Sequence, residues 1–392
     1  MKNNYEQMDI CVHNDFCGGC IHQGIDYETQ LINKEKELYK LVEAKKLKID
    51  RIDKIQGSPK QYRYRNKMEY TFGDMVKDGP MTLGMHKKGH YMSIVTVDHC
   101  QLVHDDFNKI LRGTLDFAND KGYSHYHKKS HSGMLRHLIV RMGVRTNELL
   151  INIVTSSEEG FDEEAYVKML KQLPLENNIV GILRTINDNI ADAVKCEELR
   201  VLDGRDYYMD EILGLKFKVS AFSFFQTNIA AVENLYKEAI NLIDDFEGKT
   251  VFDLFCGTGT ITQAVASKAK KAVGVELVLE AVEAAKENAK LNNLDNCQFI
   301  AGDVFKVLDE IESKPDVIIV DPPRMGIEPK ALDKIIKYGV DQIVYVSCNP
   351  KTLIENLYYM EYHGYKVKYL KPFDNFPNTK HAEAITLLEK ES

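Results

Sequence analysis

Three groups of residues in this sequence could do chemistry by their type and spacing. The first is a single cysteine. Ile343 to Pro350 reads IVYVSCNP, so Cys348 falls where an apolar, β-branched run gives way to a turn. Asn349 suits a helix N-cap, Pro350 suits the first helical position, and LIENLYYM has the apolar spacing of a packed helix. Cys348 therefore sits at the carboxyl end of a strand and beside a helix N-terminus, whose positive end favours thiolate over thiol. On this stretch alone a small buried core cysteine is the commoner role.

The second group is a cysteine array. Cys11, Cys17 and Cys20 stand as C-x5-C-x2-C, with Gly18 and Gly19 allowing a tight backbone turn, and they form most of a metal site. Cys100, at the end of the strand-like VTVDHC, is the candidate fourth ligand. Four thiolates suit zinc or an iron-sulfur cluster. The spacing by itself favours zinc, because it matches no familiar ferredoxin and the C-x3-C-x2-C array of radical enzymes is absent.

Acids at strand ends make the third group. After Asn228 the pattern becomes regular strand-helix alternation, which implies a parallel sheet. TVFDLFCGTGT turns into a helix through Gly257 and Gly259, where the backbone can approach a ligand. KKAVGVE ends in Glu276, placed to accept both hydroxyls of a ribose, and NCQFIAGD ends in Asp303, placed to bond an adenine amine. DVIIVDPPR ends in Asp321, with Pro322 and Pro323 fixing the loop behind it. The G-x-G-x-x-G pattern is not met, so an uncharged adenosyl sulfonium cofactor fits better than NAD. Each acid alone reads as a strand-end cap; the succession of them weakens that reading. Glu383 opens the final strand of a closing antiparallel hairpin and is either a general base or a salt-bridged strand start.

The elements ahead of this half have to hold a substrate. Tyr27 to Leu47 has helical spacing, with Leu31, Leu38, Leu41 and Val42 able to share a face. In QYRYRNKMEYTFG, Arg63, Arg65 and Lys67 on one side of a strand could meet phosphates. Lys121 to Asn147 contains no acidic residue and mixes histidine and tyrosine with lysine and arginine, a composition suited to single-stranded RNA. A histidine metal tract on His125, His127, His131 and His137 is the weaker alternative. Strand signals dominate from there to Asn228, with one helix near Glu163 to Leu173. The expected division is 1–55 (cysteine segment and helix), 56–222 (central RNA-binding domain, supplying Cys100) and 223–392 (catalytic domain). At 392 residues, 44% hydrophobic and 28% charged, the chain has the composition of a soluble protein with several cores. No apolar run is long enough for a bilayer and the N-terminus lacks a signal-peptide core, so the expectations are a cytoplasmic location, no membrane partner and a monomer. A net charge of −8 argues against indiscriminate nucleic-acid binding but leaves room for a local basic face.

Taken together, the CGGC array with Cys11 and Cys100, YRNK, SFFQTN, DLFCGTGT, VGVE, DPPR, SCNP and HAE resemble the class I S-adenosylmethionine-dependent RNA uracil-5-methyltransferases, in particular the 23S ribosomal RNA branch. The resemblance covers nearly the whole chain. It implies an α/β class I methyltransferase fold, Rossmann-like, with a mostly parallel seven-stranded sheet, a smaller α/β or β-rich central domain and an N-terminal iron-sulfur segment. It also implies a [4Fe-4S] cluster on Cys11, Cys17, Cys20 and Cys100, reversing the preference for zinc. By motif match, S-adenosylmethionine contacts fall on Gln226, Phe255, Glu276, Asp303 and Asp321, with Cys348 as nucleophile and Glu383 as base. The implied substrate is a uridine in 23S ribosomal RNA, with transfer RNA as the alternative. Two departures stand out: fuller members carry an oligonucleotide-binding β-barrel ahead of the cysteines, where only ten residues precede Cys11, and the last motif reads HAE where HVE is usual. The first leaves RNA binding to the middle domain and the target uridine open. Rival readings are an amino-group RNA methyltransferase, disfavoured by Arg324 and SCNP, and a non-enzymatic iron-sulfur RNA-binding sensor.

Overall fold

The computed structural model describes residues 8–190 and 194–391. In chain order the elements begin with α1 (Tyr27–Lys45) and β1 (Ile49–Ile52), then β2 (Lys67–Asp74), β3 (Met81–Lys87), β4 (His90–Thr96), α2 (Asp105–Asp120), β5 (Leu135–Gly143) and β6 (Glu148–Thr155). They continue with α3 (Glu163–Gln172), β7 (Asn178–Ile186), β8 (Glu198–Gly204), β9 (Tyr207–Ile212), β10 (Leu215–Ser220), α4 (Ile229–Asn241), β11 (Thr250–Leu254), α5 (Thr260–Ala266) and β12 (Lys271–Glu276). The chain closes through α6 (Leu279–Leu291), β13 (Cys297–Ala301), α7 (Val304–Val307), β14 (Val317–Val320), α8 (Pro329–Tyr338), β15 (Gln342–Ser347), α9 (Pro350–Tyr362), β16 (Tyr365–Phe373) and β17 (Glu383–Lys390). Among the described residues no helix is long and apolar enough to cross a membrane.

Two compact units result. Of the described residues, one holds 8–24, 60–190, 194–211 and 219–222; the other holds 25–59, 212–218 and 223–391. The expected first segment, 1–55, thus divides at Gly24: its cysteines go with the first unit and its helix with the second. The division follows from α1 itself. Asp26 caps it, accepting from the Thr29 N–H at 3.0 Å, and Tyr27, Leu31, Leu38 and Val42 recur at helical spacing as a buried stripe. Leu38 and Val42 join the core under the larger sheet.

The first unit is a seven-stranded sheet in the order β4-β3-β2-β5-β6-β7-β8. Its pairs are antiparallel except β6 with β7, which α3 connects. The second unit has an eight-stranded sheet in the order β1-β16-β17-β15-β14-β11-β12-β13, mostly parallel and interleaved with helices. The expectation of seven strands is corrected by β1, which pairs parallel with β16 through Ile49↔Val367 and Arg51↔Tyr369. Four residues with two charged ones in the middle are too short for alternation to announce a strand. Only β17 runs against its neighbours β15 and β16. The carboxyl ends of the parallel strands therefore share one edge of the sheet, and the amino end of β17 lies on that same edge.

Candidate active site

Register alone brings Cys348 and Glu383 together. β15 and β17 pair antiparallel with Ser347 opposite Ala384, so continuing the ladder by one residue sets Cys348 opposite Glu383. The local geometry around Cys348 is as its sequence implied: β15 ends at Ser347, Asn349 caps α9 by accepting from the Lys351 N–H at 3.2 Å, and Pro350 opens the helix. Asn349 also donates to the Arg324 carbonyl at 2.8 Å, tying the turn that carries Cys348 to the loop after β14. Arg324 in turn donates to His381 Nδ1 at 2.9 Å.

The expected thiolate is not what this environment favours. Burial pushes the Cys348 thiol up to about 11, and the neighbouring Glu383 and Asp321 add to the rise, while Arg324 lowers it. The helix N-terminus is outweighed by burial first and by the two carboxylates near the sulfur second. Glu383 is 6% exposed and is itself raised to about 7, first by burial and then by Asp374, against the hydrogen bond it accepts from Asn375 Nδ2 at 2.6 Å. A carboxyl poised near neutrality is the state suited to exchanging a proton.

Along the same edge, Glu276 accepts from the Gly257 N–H and the Val278 N–H, both at 3.0 Å, so its carboxylate is oriented by backbone and keeps acceptor capacity. Gly257 has φ +54 and open space where a Cβ would stand. Phe255 holds φ 68, a left-handed conformation uncommon for an aromatic residue, in the turn after β11. Gln226 donates to the Tyr236 hydroxyl at 2.8 Å, and that buried tyrosine feels Asp321 and Glu383. Asp321 is raised well above the carboxylate range by burial, Glu383 and Asp253. Asp303, by contrast, caps the short α7 by accepting from the Phe305 N–H at 2.9 Å, the structural role considered for it.

Sequence reasoning missed three supporting residues. Asp253 is raised to about 7 by burial, lessened by its bond from Thr262 at 2.5 Å; Glu276 raises it further, and its Oδ1 is buried without a partner among the described residues. Lys34, 5% exposed on the buried stripe of α1, donates to Asp374 at 2.6 Å and to the Phe376 carbonyl at 3.1 Å. Asn375 follows that pair and holds Glu383. The signal for Lys34 was a charge standing in an apolar helical stripe; nothing in the sequence ties it to residues 340 positions later.

In the first unit the four thiols of the array come within electrostatic reach of one another. Cys20 is pushed up to about 12 by burial and by Cys100, Cys17 and Cys11, and Cys100 to about 11 by burial with Cys17 and Cys11. Arg65 opposes both rises. Gly18 could not carry a side chain, since a Cβ would lie 2.9 Å from the His86 carbonyl. A different trio, His13, Asp98 and His99, has ligand atoms within 4.8 Å of one another, but His13 Nε2 already accepts from the His99 N–H at 3.1 Å and Asp98 is held by Arg112.

The basic stretches read differently in the fold. Arg63, Arg65 and Lys67 do not share a strand face: β2 begins at Lys67, Arg63 has φ 51, and Arg65 lies by the thiols with its Nε buried. Within 121–147, β5 is buried at every position, so Arg136, His137 and Arg141 are interior residues. Arg136 donates to the Asn187 and Asn189 carbonyls at 2.5 and 2.8 Å and stacks 4.1 Å from the Tyr126 ring. Because every position of β5 is buried, both faces of the strand are covered and its charges have no solvent to face. Lys129 and His131 remain exposed at the tip before it.

Residues 26–391 match the family described as tRNA (Uracil-5-)-methyltransferase. An uncharacterized RNA methyltransferase of Clostridium tetani is 50% identical over 376 residues, covering 95% of this chain and 82% of that protein. Another, from Clostridium acetobutylicum, is 49% identical over 380 residues, covering 97% and 83%. The crystal structure of Pyrococcus abyssi tRNA (uracil-54, C5)-methyltransferase in complex with S-adenosyl-L-homocysteine superposes with a TM-score of 0.77 at 25% identity, covering 95% of this chain and 86% of that one.

Proposed function

The chain belongs to the tRNA (uracil-5-)-methyltransferase family, and from that premise we propose that it methylates carbon 5 of a uridine in 23S ribosomal RNA through a covalent Cys348 adduct, with Glu383 as base. The observation that carries this reading is the cross-strand placement of Cys348 against Glu383 at the edge where Asp321 also ends its strand. Carbon 5 of uracil is a weak nucleophile. Cys348 gives its thiol proton to solvent as its sulfur adds to carbon 6, which pushes the ring's electron pair toward oxygen 4 and makes carbon 5 reactive. S-adenosylmethionine supplies the methyl group, on a sulfonium cation. Glu383 then takes the proton from carbon 5, the ring double bond re-forms, and the Cys348 thiolate leaves.

The residues present fit that cofactor. Asp253, Glu276, Asp321 and Glu383 gather at one sheet edge, and beyond burial Glu276 acts on Asp253 while Glu383 and Asp253 act on Asp321, a clustering of acids that suits a cation. Glu276 and Gln226, with the Phe255 turn, are the contacts we assign to it; Asp303 would contribute with the capacity its cap leaves. The thiols also suit a metal centre: Cys17, Cys20 and Cys100 are raised first by burial and then by neighbouring thiols of the same array, and grouped thiols of this kind bind a cation as thiolates. An iron-sulfur cluster on Cys11, Cys17, Cys20 and Cys100, as the family resemblance implies, is our reading, with a structural role.

The cysteine array is what links the chain to the ribosomal branch. Transfer RNA stays the second reading, favoured by the family description and by the activity named for the Pyrococcus abyssi protein. The test is in vitro methylation of 23S ribosomal RNA and of transfer RNA with labelled cofactor, followed by nucleoside mapping. 5-Methyluridine in 23S fragments alone is the expected result; label in transfer RNA alone moves the assignment, and label on an exocyclic amine overturns it.

A further inference from the structure

We propose that Asn375 is a positioning residue for the base, its carboxamide N–H holding the Glu383 carboxylate in place as the anion that removes the carbon 5 proton. The inference rests on the reading of Glu383 as that base. Both side chains are interior, Asn375 2% and Glu383 6% exposed, and the bond between Nδ2 and Oε2 is 2.6 Å. It is the side-chain donor that the carboxylate has among the described residues. Its own backbone is fixed from several sides. The Asn375 carbonyl accepts from Asn228 Nδ2 at 2.9 Å, the Asp374 N–H donates to the Gln56 carbonyl at 2.9 Å, and Lys34 clamps Asp374 at 2.6 Å.

The other half of the carboxamide argues that fold stability is not what retains it. Asn375 Oδ1 is buried with no partner among the described residues, an arrangement that costs stability and that an apolar side chain of similar shape would avoid. The N–H side faces a carboxylate whose remaining surroundings are unfavourable to charge. Asp374 acts on Glu383 from the preceding loop, while Asp321 after β14, Cys348 after β15 and Tyr236 on α4 are each coupled to it by negative charge or burial. Lys34 is committed to Asp374 and Arg324 to His381. Asn375 is thus the counterweight to burial. When Glu383 gains the carbon 5 proton, the electron pair of that C–H bond re-forms the ring double bond and the Cys348–carbon 6 bond breaks. Half a turn of the carboxamide then presents Oδ1 to the new acid O–H, so one side chain serves both states.

The test uses the full chain with the RNA that wild type methylates, following release of the covalent adduct in single turnover from pH 5 to 9. Asn375→Leu should move the acidic limb of that profile up by about one unit, making release roughly tenfold slower below the limb while KM for RNA stays within about twofold. Asn375→Asp, isosteric and suited to folding should the leucine variant fail, should move the limb further because it adds a like charge. A loss equal at every pH, or no loss, overturns the inference, since a packing role would not shift the limb. Glu383→Gln, run in parallel, separates the layers. If it traps the adduct while the Asn375 variants keep the wild-type profile, this inference alone falls; if it neither traps adduct nor slows turnover, the base assignment falls and this inference with it.

Discussion

Half-buried thiols raised chiefly by burial occur in both units, yet their neighbours give them different chemistry. In the catalytic unit Cys348 is a lone sulfur whose next influences are the carboxylates Glu383 and Asp321. In the first unit Cys20 and Cys100 are raised by other thiols, with Arg65 opposing. A thiol beside a carboxylate near neutrality has a proton acceptor and a base at hand; thiols beside thiols have only a shared need for a cation. A shifted titration by itself therefore marks a site without naming its use. The surrounding charges do that.

The comparison breaks if substitutions in the two places behave alike. Cys348→Ala should reduce methyl transfer on the order of 10⁴-fold with bound iron unchanged, whereas Cys100→Ser should abolish bound iron, read by metal analysis of anaerobically purified protein. A smaller effect separates fixed from shared charge. Lys34 and Asp374 are a buried pair with side chains 2% and 0% exposed. Lys34→Met should cost about 3–5 kcal/mol in urea denaturation, and adding Asp374→Leu should recover much of it, because the loss comes from an orphaned buried carboxylate. Equal costs for the single and double variants would show that the pair's charge is immaterial.

The smallest effect is a pH dependence. Glu383 has its folded value raised to about 7 from an ordinary 4.5, so the native state holds a proton that the unfolded chain has lost between those values. Its contribution to stability is present below about 4.5 and is lost as pH rises through about 7. Glu383→Gln cannot lose it. The variant should therefore gain on wild type by about 1–3 kcal/mol between pH 5 and pH 8, measured by denaturation at each pH.

The two units also differ in how far their sequences could be read. In the catalytic unit the strand ends announced themselves, since apolar runs stop at Glu276, Asp321 and Cys348, and Asn349 with Pro350 writes the start of α9. What could not be read was register: the ladder that pairs Ser347 with Ala384 joins segments whose patterns are independent. Lys34 was missed for the same reason, its partner Asp374 lying 340 positions on, while Asn375, eight residues before Glu383, sits in a loop between strands where no periodicity marks it. In the first unit, composition misled. Lys121 to Asn147 looks like an exposed basic surface, but β5 has neighbours on both edges and buries Arg136, His137 and Arg141 among carbonyls and rings. Period-two alternation cannot distinguish a charged outer face from a charged inner one when both faces are covered. The placement of Arg65 beside the thiols is likewise a product of the turn at Arg63, not of strand alternation.

The account turns on a temporary bond between Cys348 and a pyrimidine. Glu383→Gln, incubated with cofactor and substrate RNA, denatured, digested and examined by mass spectrometry, tests it directly. A methylated uridine attached to the peptide containing Cys348 is the predicted result; full turnover without any such peptide, or attachment at another cysteine, would contradict it.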